Sequence, residues 1–217
     1  MKPLYVLVEG QTEEEFFKEN LVPYFAAKNI FEVRPIKIST KVGFKGGFVK
    51  YNHLKRDAEN LLKTRKDCVI STFVDYFRIP NDIPNYDSCH KIFDIDDRLN
   101  CLENAIRKDI GSERVFPYIQ KHEFEALLFS SNIGFENYYE GKIARETARI
   151  IQNHSNPEEI NDKPATSPSN RLLQIVPEYK KVLAGNIFAL HIGIETILAK
   201  CPRFRRWIET LIDLVLE

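Results

Sequence analysis

The chain has 217 residues, with 31 Lys and Arg against 31 Asp and Glu, so its formal net charge is zero with neutral histidine. Apolar residues make up 43% and charged residues 29%, which excludes a disordered or low-complexity chain. Zero net charge excludes a purely electrostatic, histone-like binder and leaves room for a local basic face. The nine glycines have no three-residue period, so the chain is not collagen-like. The length suits one domain with an appended subdomain.

No apolar run approaches the roughly 18–20 residues that cross a bilayer. The N-terminal run is too short for a signal-peptide core and ends on an acid. The expectation is a cytoplasmic protein without a membrane segment. Cys68, Cys89, Cys101 and Cys201 include no CxxC pair, so zinc is not expected and reduced thiols are.

In chain order, Tyr5 to Val8 is a continuous apolar run, the mark of a strand covered on both faces. Gly10 allows a sharp turn with positive φ. Thr12 with Glu15 reads as a capping box opening a helix. Phe17, Leu21, Tyr24 and Phe25 give that helix one apolar face. Residues 33–39 alternate as a second strand, and 43–48 (GFKGGF) form a glycine-rich loop. Leu54, Ala58, Leu61 and Leu62 mark a second helix, and 68–74 a third strand ending at Asp75. The stretch 79–85 is turn chemistry. Ile95, Leu99, Leu102 and Ile106 give a third helix, and 115–119 a fourth strand, with Pro117 arguing for an edge position or an early end. Beyond about 122 the pattern is helical, interrupted by a Pro-, Ser- and Asn-rich loop over 155–170. The predicted fold class is α/β: a mostly parallel four-stranded sheet flanked by helices, with residues 1–130 as the α/β domain and 131–217 as a helical extension packed on it.

Open parallel sheets bind ligands beyond the carboxyl ends of their strands. That rule selects Glu9 after strand one, Asp75 after strand three, and Glu123 and Glu125 after strand four. Carboxylates held together raise one another's pKa unless a cation compensates, and an all-oxygen set suits Mg²⁺, with Mn²⁺ as the alternative. Such an ion activates water and stabilises charge on a phosphoryl oxygen. Glu13 balances between a partner of the helix dipole and a ligand. Glu123 and Glu125, two apart on a helix, should not both face the site. Asp94 and Asp96 read as the solvated first turn of helix three, and His122 is as well explained by structure as by catalysis.

VLVEGQTEEEFF (6–17), GGF followed by Tyr51 and Arg56-Asp57, TFVDYFRIPND (72–82), IQKHEFEALLF (119–129), SPSNRL (167–172) and CPRFRRWIETL (201–211) together resemble an uncharacterised Toprim-like family whose genes often lie beside an ATPase gene. That family is similar to the Toprim nuclease subunit of the PARIS phage-defence system and, more distantly, to the nuclease domains of OLD-type proteins. The resemblance spans almost the whole chain, in order. It implies a Toprim-type sheet, divalent metal and phosphodiester hydrolysis. Glu9 matches the Toprim glutamate of the first strand–helix turn, and Asp75 the first acid of the later strand. The usual DxD is broken, because position 77 is Phe. Glu123 or Glu125 replaces the missing acid, or the site holds one metal, or a partner completes it.

Phosphate contact needs positive charge or free amides. Lys45 in the glycine-rich loop and Lys163, Ser167, Ser169 and Arg171 in the long loop are the candidates, against plain loop roles for each. Lys200, Arg203, Arg205 and Arg206 cluster around Phe204 and Trp207, aromatics whose spacing reads as core. The implied partners are nucleic acid, DNA or RNA, and the neighbouring ATPase, with a homodimer left open. The expected function is therefore a metal-dependent nuclease, the effector of an ATPase-linked defence system. The alternative is a non-catalytic Toprim shell that binds or regulates the ATPase.

Overall fold

The fold comes from a computed structural model that describes residues 1–41, 44–45, 47–160, 166–176 and 179–217, with backbone only at 41, 44 and 45. The central sheet is parallel throughout. β1 (Leu4–Val8) pairs with β2 (Val33–Lys37) on one side and β5 (Val69–Asp75) on the other. β6 (Val115–Phe116) and β7 (Ile119–Gln120) both pair with β5, at Ile70–Ser71 and at Val74–Asp75. They are the predicted fourth strand cut in two. Pro117 has no N–H for the ladder, and hydroxyls fill the gap: Ser71 Oγ donates to the Phe116 carbonyl, and Thr72 Oγ1 accepts from Tyr118 N–H at 2.8 Å. Two strands therefore stand where the sequence pattern showed one, and the sheet order is β2-β1-β5-β6. β3 (Ser39–Lys41) and β4 (Phe44–Lys45) form a separate antiparallel pair in what the sequence marked as strand end and glycine-rich loop.

Every residue of β1 and β5 is buried, as strands covered on both faces require. Leu4, Val6 and Val8 face one core with Phe73. On that side lie α1 (Gln11–Phe16), α2 (Val22–Ala26) and the C-terminal helices. Leu7 and Val74 face the other core, under α3 (Tyr51–Thr64), α4 (Tyr86–His90) and α5 (Ile95–Ile110). A π-helical turn, Phe17–Leu21, joins α1 to α2. After a 3₁₀ helix at Phe124–Ser130 come α6 (Ile133–Glu136), α7 (Lys142–Asn153), a 3₁₀ turn at Pro157–Glu159, α8 (Pro168–Ile175) and a π turn at Lys181–Gly185. The chain ends in α9 (Asn186–Ile192), α10 (Ile194–Lys200) and α11 (Pro202–Leu216). Phe204 and Trp207 are indeed core: Trp207 stacks on Tyr118 at 4.2 Å and on Phe73 at 5.5 Å between ring centroids. No single helix among the described residues is long and apolar enough to cross a membrane.

Three local expectations are corrected. Helix α1 starts at Gln11 with Gly10 as its N-cap and no side-chain cap bond, so Thr12 lies inside the helix and Glu15 accepts from Gln11 Nε2 instead. Gly10 has φ −150°, not a positive value; what matters there is space, since a Cβ would lie 3.2 Å from Glu13 Oε2. Cys89 and Cys101 form a disulfide, with Cα atoms 5.6 Å apart, while Cys68 and Cys201 are free and buried. Sequence spacing missed the pair because α4 folds back on α5, joining positions 12 apart.

Glu103 of α5 pins the broken edge. Its Oε1 accepts from Ile119 N–H at 2.7 Å and from Arg203 Nη2 at 2.6 Å. Burial pushes its carboxyl from 4.5 up to about 7, with Arg203 opposing the rise and Asp96 adding to it. A raised native pKa gives a stability share complete below 4.5 and lost as the pH climbs through about 7. The melting midpoint should therefore fall between about pH 5 and about pH 8, and fall less steeply in Glu103→Gln. A variant as steep as wild type would exclude Glu103 as a source of that slope.

Candidate functional site

The carboxyl ends of β1, β5 and β7 meet at one rim. The register that pairs Val8 with Phe73 sets Glu9 beside Asp75. Asp75 N–H donates to Glu9 Oε2 at 3.2 Å, and Glu9 N–H to the Phe73 carbonyl at 3.3 Å. Gly47, at φ +83°, turns its N–H onto the Glu9 carbonyl at 2.7 Å, closing the end of the glycine-rich loop over the same corner. Asp75 Oδ1 accepts from Phe124 N–H at 2.9 Å, tying the 3₁₀ helix to the strand end. Phe77, at the broken DxD, uses its N–H on the His122 carbonyl, and His122 sits at φ +63°.

One lysine joins the acids. Lys181 Nζ lies 3.5 Å from Glu13 Oε1, 3.4 Å from Asp75 Oδ2 and 3.3 Å from Glu125 Oε2. Burial pushes the carboxyls of Glu9, Asp75 and Glu125 up; Glu13 adds to the rise at Glu9, and Glu125 reaches about 7. Burial works against the Lys181 ammonium, but Asp75, Glu125, Glu13 and Glu9 together outweigh it and hold its pKa above the ordinary value. Both Glu125 oxygens are wholly buried and make no hydrogen bond, Oε2 facing only the Lys181 ammonium, and the Tyr179 hydroxyl is buried without a hydrogen bond. Gly185 leaves room for that hydroxyl, which a Cβ would meet at 2.8 Å.

Of the residues selected from sequence, Glu9, Glu13, Asp75 and Glu125 converge. Glu123 stands at the head of the same 3₁₀ helix and turns to α8, accepting from Ser169 N–H at 2.9 Å and from Ser169 Oγ at 2.8 Å. The two glutamates thus divide as their spacing predicted. Ser167 caps α8 through Asn170 N–H, and Arg171 Nε donates to the Thr166 carbonyl at 2.7 Å. Both are engaged at the start of α8, which takes Arg171 out of the predicted loop. Lys163 and the Lys45 side chain lie outside the described residues. Asp94 caps α5 through Asp97 N–H at 2.9 Å, the structural role its position suggested. Sequence reasoning missed Lys181 and Tyr179. The one signal for Lys181 is a cation at the head of the mostly apolar run 182–192.

An all-oxygen donor set with a buried carboxylate that makes no hydrogen bond suits a hard divalent cation. Among the described residues no three acidic, histidine or cysteine side chains already stand as a coordination shell.

The sequence profile described as Domain of unknown function (DUF4276) matches residues 8–212. No protein of curated function matches the chain. Among solved structures, the chain resembles the C-terminal region of the Xanthomonas campestris pv. campestris OLD protein, with TM-score 0.53 and 12% identity over 99% of this chain and 92% of that one. It also resembles the C-terminal region of the Burkholderia pseudomallei OLD protein, with TM-score 0.51 and 13% identity over 98% and 99%. At such identities the likeness is one of fold, and it agrees with the fold that the resemblance implied.

Replacing Lys181 by Met leaves the facing carboxylates uncompensated. The variant should melt several degrees below wild type, with a deficit that widens from about pH 5 to about pH 8 as the acids ionise. A deficit constant with pH would mean that the lysine does not balance the cluster.

Proposed function

The chain belongs to the family described as Domain of unknown function (DUF4276), and we propose that it is a divalent-metal-dependent phosphodiester hydrolase acting on nucleic acid. The observation that carries this reading is the meeting of Glu9, Glu13, Asp75 and Glu125, from separate chain segments, around one lysine at the carboxyl rim of a parallel sheet. Four acids against one ammonium leave negative charge that Mg²⁺ or Mn²⁺ would balance. Glu9, Glu13, Asp75 and Glu125 would hold the ion, with Glu123 beside them. When bound, the metal supplies a more acidic water and charge stabilisation on the phosphoryl oxygens.

The remaining chemistry belongs to the chain. Glu9, with its pKa raised by burial and by Glu13, is suited to take a proton from the attacking water. Lys181 stays protonated and offers its ammonium to a non-bridging phosphate oxygen, or a proton to the leaving oxygen. Asp75, gripped through Phe124 N–H, keeps the cluster in register. Ser169 holds Glu123 in place from α8. In this reading residues 1–130 supply the carboxylates and 131–217 supply the lysine and the serine clamp.

The wider role follows from the Toprim-like resemblance: a cytoplasmic effector of an anti-phage system, kept in check by an ATPase from a neighbouring gene. Restraint has a physical motive, since an unregulated nuclease destroys its own cell. Co-purification with that ATPase at micromolar concentration supports the restraint, and a chain that stays alone counts against it. A second reading, a non-catalytic Toprim shell partnering the ATPase, draws on Phe77 at the broken DxD and on Lys181 already neutralising part of the cluster.

Two measurements separate the readings. Millimolar Mg²⁺ or Mn²⁺ should raise the wild-type melting midpoint, because binding at a hundredfold excess over Kd stabilises by about 2.7 kcal/mol; no shift favours the shell. Glu9→Gln keeps the shape and removes the charge. It should cut metal-dependent cleavage of DNA or RNA pools by about 10²-fold or more without lowering the midpoint. Full activity in that variant would remove Glu9 from the mechanism.

A further inference from the structure

Helices α5 and α11 lie on opposite faces of the sheet and both overhang its β6 edge. From α5, Asn100, Glu103, Asn104 and Arg107 face the gap between them. From α11, Arg203, Arg206, Trp207 and Thr210 face it. Each set has the i, i+3, i+4, i+7 spacing of a single helical face. Facing stripes of that spacing ordinarily close on each other as apolar packing. Here they are largely polar, and they leave a cleft of about 440 Å³ floored by Phe116, Pro117 and Tyr118.

Three arginines and one carboxylate line the cleft. Its one carboxylate, Glu103, is already taken by Ile119 N–H and Arg203. Arg203 has a side chain only 9% exposed, and its Nε is ion-paired with Asp96 Oδ1 at 3.7 Å without a hydrogen bond. Arg107 lies over the Phe116 ring at 4.6 Å, with one nitrogen on the exposed Glu113. Arg206 is exposed and makes no ion pair among the described residues. Three guanidiniums converge on this cleft, Arg203 paired to Glu103 and Asp96, Arg107 to Glu113 and Arg206 to no acid among the described residues, and their remaining N–H groups describe a seat for an anion.

The rest of the lining says more about that anion. Asn100 and Asn104 present amides of the kind that read base edges. The half-buried Phe116 ring, with Arg107 over it, gives the floor an aromatic surface of the kind on which bases stack, while Trp207 is held in the core and borders it. The volume falls in the range of small-molecule sites, about 300–1,000 Å³, and exceeds what a bare phosphate needs. We propose that the cleft between α5 and α11 binds a nucleoside phosphate, with the phosphate on Arg203, Arg206 and Arg107 and the base toward Asn100, Asn104 and the aromatic floor. The site is separate from the acidic pocket: its floor pairs with Ile70 and Ser71, in the first half of β5, whereas the carboxylates gather past the far end at Asp75.

Trp207 is the only tryptophan in the chain and lines the cleft, so its fluorescence reports occupancy without any cleavage assay. The whole chain is titrated with AMP, CMP, GMP, UMP, inorganic phosphate and a short single-stranded oligonucleotide, with calorimetry in parallel. Saturable binding of at least one nucleotide or of the oligonucleotide is expected, about tenfold tighter than phosphate. Arg206→Glu and Arg107→Glu should each weaken it about tenfold or more with melting unchanged. Affinity complete at the mononucleotide assigns the cleft to a free nucleotide; affinity that grows with the strand assigns it to a nucleotide unit of nucleic acid. The proposal falls if neither method detects saturation at millimolar ligand, if phosphate binds as tightly as the nucleotides, or if both variants bind like wild type.

Discussion

The parallel pairing of β1 with β5 is the constraint on which the acidic rim depends. It sets two acids, 66 positions apart in sequence, at adjacent strand ends, and the Asp75 N–H to Glu9 Oε2 bond fixes their spacing. Every other member of the cluster arrives through an element anchored to those strands. Glu13 comes from the first turn of α1, Glu125 from the 3₁₀ helix that Asp75 itself tethers, and Lys181 from the turn leading into α9. α9 is in turn bound to α1 by Asn186 Nδ2 on the Thr12 carbonyl at 3.3 Å. The rim is therefore a product of topology, and local sequence only supplies the acids that occupy it.

The charge arrangement has a price in stability that the fold accepts. Burial raises the carboxyls of Glu9, Asp75 and Glu125, and one ammonium offsets the cluster only in part. Groups held in an unfavourable state at neutral pH are what the proposed hydrolytic centre would use. The contrast with Lys121 is instructive. That lysine is buried but paired with Asp96 and Glu159, at 3.2 and 2.7 Å, and so is accounted for by structure alone.

Much of this was legible in the sequence because it rests on short-range pattern. The continuous apolar runs of β1 and β5 announce covered strands, and the strand-end rule then points at Glu9 and Asp75. Pro117 announces the broken edge. What stayed hidden depends on contacts remote in sequence. Lys181 lies 106 positions from Asp75, and nothing near it marks an approach to the rim. The Cys89–Cys101 bond requires the turn of α4 onto α5, which spacing does not encode. Glu103 and Arg203, 100 positions apart, look like ordinary surface charges until two helices overhang the same sheet edge.

The two outer strands share a property whose effect lies outside the chemistry. β2 carries Pro35, paired inward with Val6, and the opposite border is split at Pro117. A proline cannot donate to an incoming strand, so each border withholds part of the backbone template on which polymers nucleate. The sheet can therefore keep its central strands densely apolar without inviting edge-to-edge association between copies, and mutating either proline to a β-branched residue removes a guard against aggregation.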